Sequence, residues 1–155
     1  MNESLIQSTI LVSSLTATER DAAFEEVVTA FADAGVLAAE STECVVRQLV
    51  EREVQGSTGL GNGVAIPHVK ETEVDEIVVA LAISSDGIGF DAIDGRQVHI
   101  MFLVLGPKDG PPEDHLAVLR WVSTLARNAD FRRFALGVSS ANELRDLLTE
   151  MTESE

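Results

Sequence analysis

The sequence predicts an α/β fold, a three-layer sandwich in which a central mixed β-sheet is flanked by helices on both faces. Near-continuous apolar runs at residues 77–83 and 98–105 read as strands buried on both sides. Apolar residues at helical spacing fill both ends of the chain, so helices have a sheet to cover. No internal repeat or linker interrupts the 155 residues, which are enough to close one core, and a single domain over 1–155 is expected.

The elements follow in order. Thr18 precedes Ala23, Phe24, Val27, Val28, Phe31 and Ala34 at helical spacing, with Asp21 completing a capping-box-like pattern and Gly35 placed as a C-terminal cap. A second helix is expected from Ser41 or Thr42 to Gly56, burying Val45, Val46, Leu49 and Val50, with Arg52 near its end. GSTGLGNG, residues 56–63, has four glycines in eight positions and reads as loop, neither helix nor strand interior. A short strand at 64–66 then leads to Pro67 and His68.

The two long apolar runs flank a shorter segment at 89–93, and Asp94-Gly95 is a hairpin-turn signal. After Pro111-Pro112, the series Leu116, Leu119, Val122 and Ala126 marks a helix with proline tolerated in its first turn and His115 close to its start. Residues 130–136 suit a short helix. Ser140 with Glu143 caps a last one carrying Leu144, Leu147, Leu148 and Met151, and residues 152–155 are expected to fray.

Composition removes several classes of function. Eleven Lys and Arg against 26 Asp and Glu give a formal charge of -15, a surface field that repels nucleic-acid backbones and anionic headgroups. The apolar runs are shorter than the roughly 20 residues of a spanning helix, so no direct membrane insertion is expected. No secretory leader is recognisable and the lone Cys44 can form no internal disulfide, which suits a cytoplasmic protein. Cys44 itself sits beside apolar neighbours and is expected in the core.

Three histidines, His68, His99 and His115, are the candidate chemical groups. A lone histidine is more often structural than functional, and context has to change that. His99 falls inside an apolar run and reads as structural. His68 follows a glycine-rich loop and a proline, so its backbone is restrained while the preceding amides can approach an anion. The loop has no Walker lysine and follows a helix instead of a strand, so it is no nucleotide cradle.

The stretch STGLGNGVAIPH, with LVEREVQG before it and FDAIDGRQVHIMFLVLGPKDGPPEDHLAVL after it, resembles the enzyme IIA domains of the phosphotransferase system, of the fructose/mannitol/nitrogen-regulatory type. The similarity covers about residues 5–150. It implies a phosphoryl-accepting histidine at His68, a second site histidine at His115 and an arginine at Arg52. A neutral imidazole nitrogen is a competent nucleophile toward phosphorus, a histidine near a helix N-terminus can bring an N–H donor, and a guanidinium matches phosphate oxygens. Thr58, Gly61, Asn62 and Gly63 are candidates for further contacts to phosphate, against the commoner role of such residues as turn formers.

The resemblance implies transfer from the histidine-containing phosphocarrier protein, with no nucleotide or other cofactor in that step. Onward, it implies either transfer to a cysteine of an enzyme IIB domain for sugar uptake or signalling to regulatory target proteins. A free-standing domain leans toward the regulatory branch. Val69 departs from the small residue that the family pattern carries after the histidine, a change expected to reshape the docking surface. Two rivals stand beside this reading. One is a metal-dependent hydrolase using all three histidines, whose spacings of 31 and 16 residues match no compact ligand motif. The other is an interaction module of the same fold without phosphotransfer.

Overall fold

The computed structural model describes residues 3–90, 92 and 94–153. Its helices are α1 (Glu3–Ser8), α2 (Arg20–Asp33), α3 (Thr42–Gln55), α4 (Pro112–Arg127), α5 (Ala129–Ala135) and α6 (Ala141–Glu153), with a 3-10 turn at Ala39–Ser41 before α3. Its strands are β1 (Ile10–Val12), β2 (Gly59–Gly61), β3 (Val64–Ala65), β4 (His68–Thr72), β5 (Val78–Ile88) and β6 (Val98–Pro107).

The antiparallel pair β5 and β6 is the centre of a mixed sheet ordered β1-β5-β6-β3-β2. β1 runs parallel to β5, and β2 is antiparallel to β3. Both β3 and β4 run parallel to β6, one after the other along the same side: Val64 pairs with Ile100 and His68 with Val104. Pro67 lies between them. It has no N–H to give, yet its carbonyl still accepts from Val104 N–H at 2.9 Å, so a proline fits the line without breaking it.

Side-chain alternation along β5 and β6 divides the core in two. Ala80, Ala82, Met101, Leu103 and Leu105 point into one cluster with Phe24, Val28 and Phe31 of α2 and Val45 and Leu49 of α3. Val79, Leu81, Ile83, Ile100, Phe102 and Val104 point into the other, with Ile6 of α1, Trp121 and Leu125 of α4, Phe131 of α5 and Leu148 of α6. This is the expected sandwich. Each large side chain so buried is worth about 1.5–3 kcal/mol against exposure.

Local chemistry explains most boundaries. At the end of α2, Gly35 takes φ 80° while Val36 N–H reaches Phe31 O and Gly35 N–H reaches Ala32 O, the paired bonds of a Schellman cap. Pro112 opens α4, and Ser140 Oγ accepts from Glu143 N–H at α6 while the Glu143 carboxylate accepts from Ser139 N–H.

Several expectations are corrected. Thr18 does not cap α2, which starts at Arg20 after an uncapped Glu19; the Thr18 carbonyl instead accepts from Gly89 N–H. The glycine-rich stretch contains a strand, β2, paired with β3, and Gly59 in it lies so close to Ala92 that a Cβ would sit 2.7 Å from the alanine's own. α1, β1 and β4 are elements that the sequence did not announce. The buried stripe of α4 is His115, Val118, Trp121, Val122, Leu125 and Ala126, while Leu116 is exposed. Cys44 is exposed, not in the core. Thr152 and Glu153 belong to α6, and Thr152 Oγ1 accepts from Trp121 Nε1–H at 3.0 Å; Glu155 lies outside the described residues. The strand expected at 89–93 partly lies outside them too; of it, Gly89 bridges to Glu19.

Candidate functional site

Every residue at the site comes from a boundary between elements. His68 opens β4, which has β6 on one side only. α3, from one helical layer, brings Arg52 to this edge, and α4, from the other layer, brings His115. The chain thereby sets two imidazoles with ring centroids 6.0 Å apart at a tilt of 51°.

His68 is half-buried, and its Nδ1 lies 2.7 Å from the carbonyl oxygen of Ile66. A carbonyl can only accept, so Nδ1 carries the proton and, in the neutral ring, Nε2 keeps its lone pair. Pro67 enforces this by restricting Ile66 to extended backbone. His68 also lines an open depression of about 410 Å³ together with Gln48, Arg52, Gln55 and Lys70.

His115 is only 4% exposed, and neither of its ring nitrogens has a hydrogen-bond partner among the described residues. Burial first, then the nearby His68 and Lys70, pushes its pKa below the usual imidazole value, which holds the ring neutral. Such a ring has a donor to spare. Gly106 makes room for it: a Cβ there would stand 2.9 Å from His115 Nδ1.

Arg52 spends Nη1 on the carbonyl of Gly56, at 2.8 Å, which anchors the guanidinium over the end of α3. Beside it in sequence, Glu53 turns inward and is 6% exposed, on the same stripe as Val45 and Leu49. The sequence reading missed Glu53. The signal was available, since positions 45, 49 and 53 follow at intervals of four and a carboxylate on that stripe needs a buried partner.

That partner is Thr58, whose N–H donates to the Glu53 carboxylate at 3.1 and 3.3 Å and whose hydroxyl donates to Glu53 Oε1. The Thr58 hydroxyl is thus engaged, while its carbonyl accepts from Ile66 N–H, two residues before His68. Gly61, Asn62 and Gly63 are not brought to His68. They turn the chain from β2 to β3, all at positive φ, and Val64 is already about 13 Å along the strand from His68. Arg96 N–H donates to Asp94 Oδ1 at 3.0 Å and Asn62 N–H to Oδ2 at 2.9 Å, and these bonds hold the exposed Asp94 carboxyl below its ordinary pKa.

His99 stands apart. Its Nδ1 donates to Ser84 O at 2.8 Å, and it lines a separate hollow with Ser13, Ser85, Leu136 and Ser139. Among the described residues no group of three His, Cys, Asp or Glu is arranged to hold a metal ion. A larger groove, about 850 Å³, runs between α1, α4 and residues 72–77, and among the described residues no histidine lines it. Val69 packs partly against the α2–α3 core instead of standing clear on the surface. No helix among the described residues is long and apolar enough to cross a membrane.

Known proteins resemble this chain in sequence and in fold. A fructose-specific EIIA component of Haloferax volcanii is 34% identical over 134 residues, covering 86% of this chain and 85% of that protein. A nitrogen regulatory protein of Pseudomonas aeruginosa is 32% identical over 109 residues, covering 70% of each. The crystal structure of nitrogen regulatory protein IIA-Ntr from Neisseria meningitidis superposes with a TM-score of 0.78 at 33% identity, covering 91% of this chain and 93% of that one. The mannitol IIA of Escherichia coli, solved in complex with phosphorylated enzyme IIB, shares the fold with a TM-score of 0.73 at 16% identity, covering 90% and 94%. The family described as phosphoenolpyruvate-dependent sugar phosphotransferase system, EIIA 2, matches residues 4–151, and this chain belongs to it.

Proposed function

We propose that this EIIA chain carries its phosphoryl group on Nε2 of His68. The observation that supports this most directly is the 2.7 Å bond from His68 Nδ1–H to Ile66 O, which leaves Nε2 as the nucleophile. In the transfer step the nitrogen–phosphorus bond on a histidine-containing phosphocarrier protein breaks and a new one forms at Nε2. The donor imidazole recovers its lone pair, and His68 keeps its Nδ1 proton on Ile66 O.

Arg52 and His115 then have complementary tasks. The guanidinium offers charge and planar N–H groups to the phosphoryl oxygens, and the neutral, unpartnered His115 ring adds a donor in a site partly shielded from water. Catalysis is mostly alignment and charge stabilisation, and no cofactor enters the step.

Two onward routes follow from the relatives. Transfer to a cysteine of an enzyme IIB domain is favoured by the fructose-specific relative, matched along 86% of the chain, and by the IIB complex of the mannitol protein. Signalling by phosphorylation state is favoured by the IIA-Ntr likeness. Either role suits a cytoplasmic protein acting as one domain. The test is incubation with phosphoenolpyruvate, enzyme I and the phosphocarrier protein, followed by mapping of the label. Acid-labile, alkali-stable label on His68 is expected, and passage of it to a IIB cysteine separates the first route from the second. Label on His115 in place of His68, or none, overturns the reading.

A further inference from the structure

We infer that Glu53 is a positioning residue for phosphoryl acceptance, acting through Thr58 to fix the backbone carbonyl that holds His68 in its Nδ1–H form. The inference rests on the reading of His68 as the phosphoryl acceptor.

The hydrogen bonds form an unbroken line from α3 to the His68 ring. Glu53 takes both the N–H and the hydroxyl of Thr58. The Thr58 carbonyl accepts from Ile66 N–H at 3.1 Å, and the Ile66 carbonyl accepts from His68 Nδ1–H at 2.7 Å. In an extended strand the N–H and C=O of one residue point the same way, so the bond to Thr58 orients the carbonyl that His68 uses. Downstream, Pro67 holds the following peptide through its own bond to Val104. Ile66 is clamped on both sides.

The burial of Glu53 argues for a purpose beyond filling space. Val45 and Leu49 on the same stripe are apolar, and a buried carboxyl is tolerated only where its hydrogen bonds are complete. A two-point grip also removes the rotation that a single bond would leave to Thr58. Since Arg52 precedes Glu53, the last turn of α3 serves both sides of the site: one residue faces the phosphoryl depression and the next holds the acceptor ring from behind. Ring tautomers of this kind are commonly set by a second group behind the reacting one.

The test uses the full chain and separates positioning from folding. Nitrogen-15 NMR of the unphosphorylated protein reads which His68 nitrogen carries the proton, and label transfer from the phosphorylated phosphocarrier protein gives the acceptance rate. Thr58→Val and Glu53→Gln are expected to move neutral His68 toward the Nε2–H form and to slow acceptance on the order of tenfold. Thr58→Ser, which keeps the hydroxyl, restores both. Should circular dichroism show Thr58→Val unfolded, Glu53→Gln, nearly equal in volume, decides alone. A wild-type tautomer in the folded variants overturns the inference, whether or not the rate falls. Failure of the wild-type protein to take label on His68 refutes the carrier reading instead, and the tautomer comparison still judges the link from Glu53 to the ring.

Discussion

His68 and His99 are held in almost the same way. Each is a half-buried strand residue whose Nδ1 donates to a backbone carbonyl, at 2.7 and 2.8 Å, so each neutral ring keeps its lone pair on Nε2. Their surroundings differ. His68 sits on an edge strand where helices from both layers reach it with a second imidazole and a guanidinium, whereas His99 lies on central β6 beside serine hydroxyls, with no Lys or Arg among the described residues lining its hollow. The tautomer makes a nucleophile available. The neighbours are what make it the proposed phosphoryl site.

The largest expected effect tests that contrast directly. His68→Ala should abolish phosphorylation with the far-ultraviolet circular dichroism unchanged, while His99→Ala retains label at His68; equal loss in both variants would break the distinction.

Next comes the contribution of the second imidazole. Gly106→Ala places a methyl 2.9 Å from His115 Nδ1, and relief requires the ring or its helix to shift. Acceptance at His68 should slow by about ten- to a hundredfold, since small displacements of an aligned group are costly to transfer rates. Stability should fall by about 1–3 kcal/mol. Transfer kinetics with a parallel urea titration check both, and a wild-type rate would remove His115 from the mechanism.

A smaller change is expected from Arg52→Lys. An ammonium keeps the charge but cannot bond Gly56 O and present a planar face to phosphate at once. Transfer should slow several-fold with folding intact, and an unchanged rate would leave Arg52 only its helix-capping contact.

The mildest effect concerns pH. Burial lowers the pKa of His115 in the folded state below its unfolded value, about 6.5. Above that value both states are neutral and this group adds no pH dependence. As pH falls below it, the unfolded chain binds the proton first, so stability declines until the folded-state pKa is passed. His115→Gln should flatten that slope in urea unfolding followed from pH 7.5 to 5; an identical slope would mean that other groups carry it.

The layered fold was legible because its signals are periodic. Continuous apolar stretches gave the two central strands, and glycine and serine caps gave the ends of α2 and α6. β1 and β4 were hidden because three or five residues carry too little pattern, and Leu116 misled because the buried face of α4 is rotated by about one residue from the expected stripe. At the site, the resemblance singled out His68, His115 and Arg52, and the structure gathers them at one edge. The glycine-rich loop was harder to read. Its turn residues serve the β2–β3 hairpin, and Thr58 serves Glu53, because proximity in sequence says nothing about which way a strand carries its residues.

The drawing of Arg52 and His115 to the edge of His68 by separate cores has a consequence for ageing and damage. Regions of a protein open locally at free energies well below global unfolding. If the layer holding α3 lifts, Arg52 leaves His68, and if the layer holding α4 lifts, His115 does, while β5 and β6 can remain joined. A worn copy of the proposed carrier would then fall silent while its central strands still pair, and the same opening would bare one apolar face of the sheet.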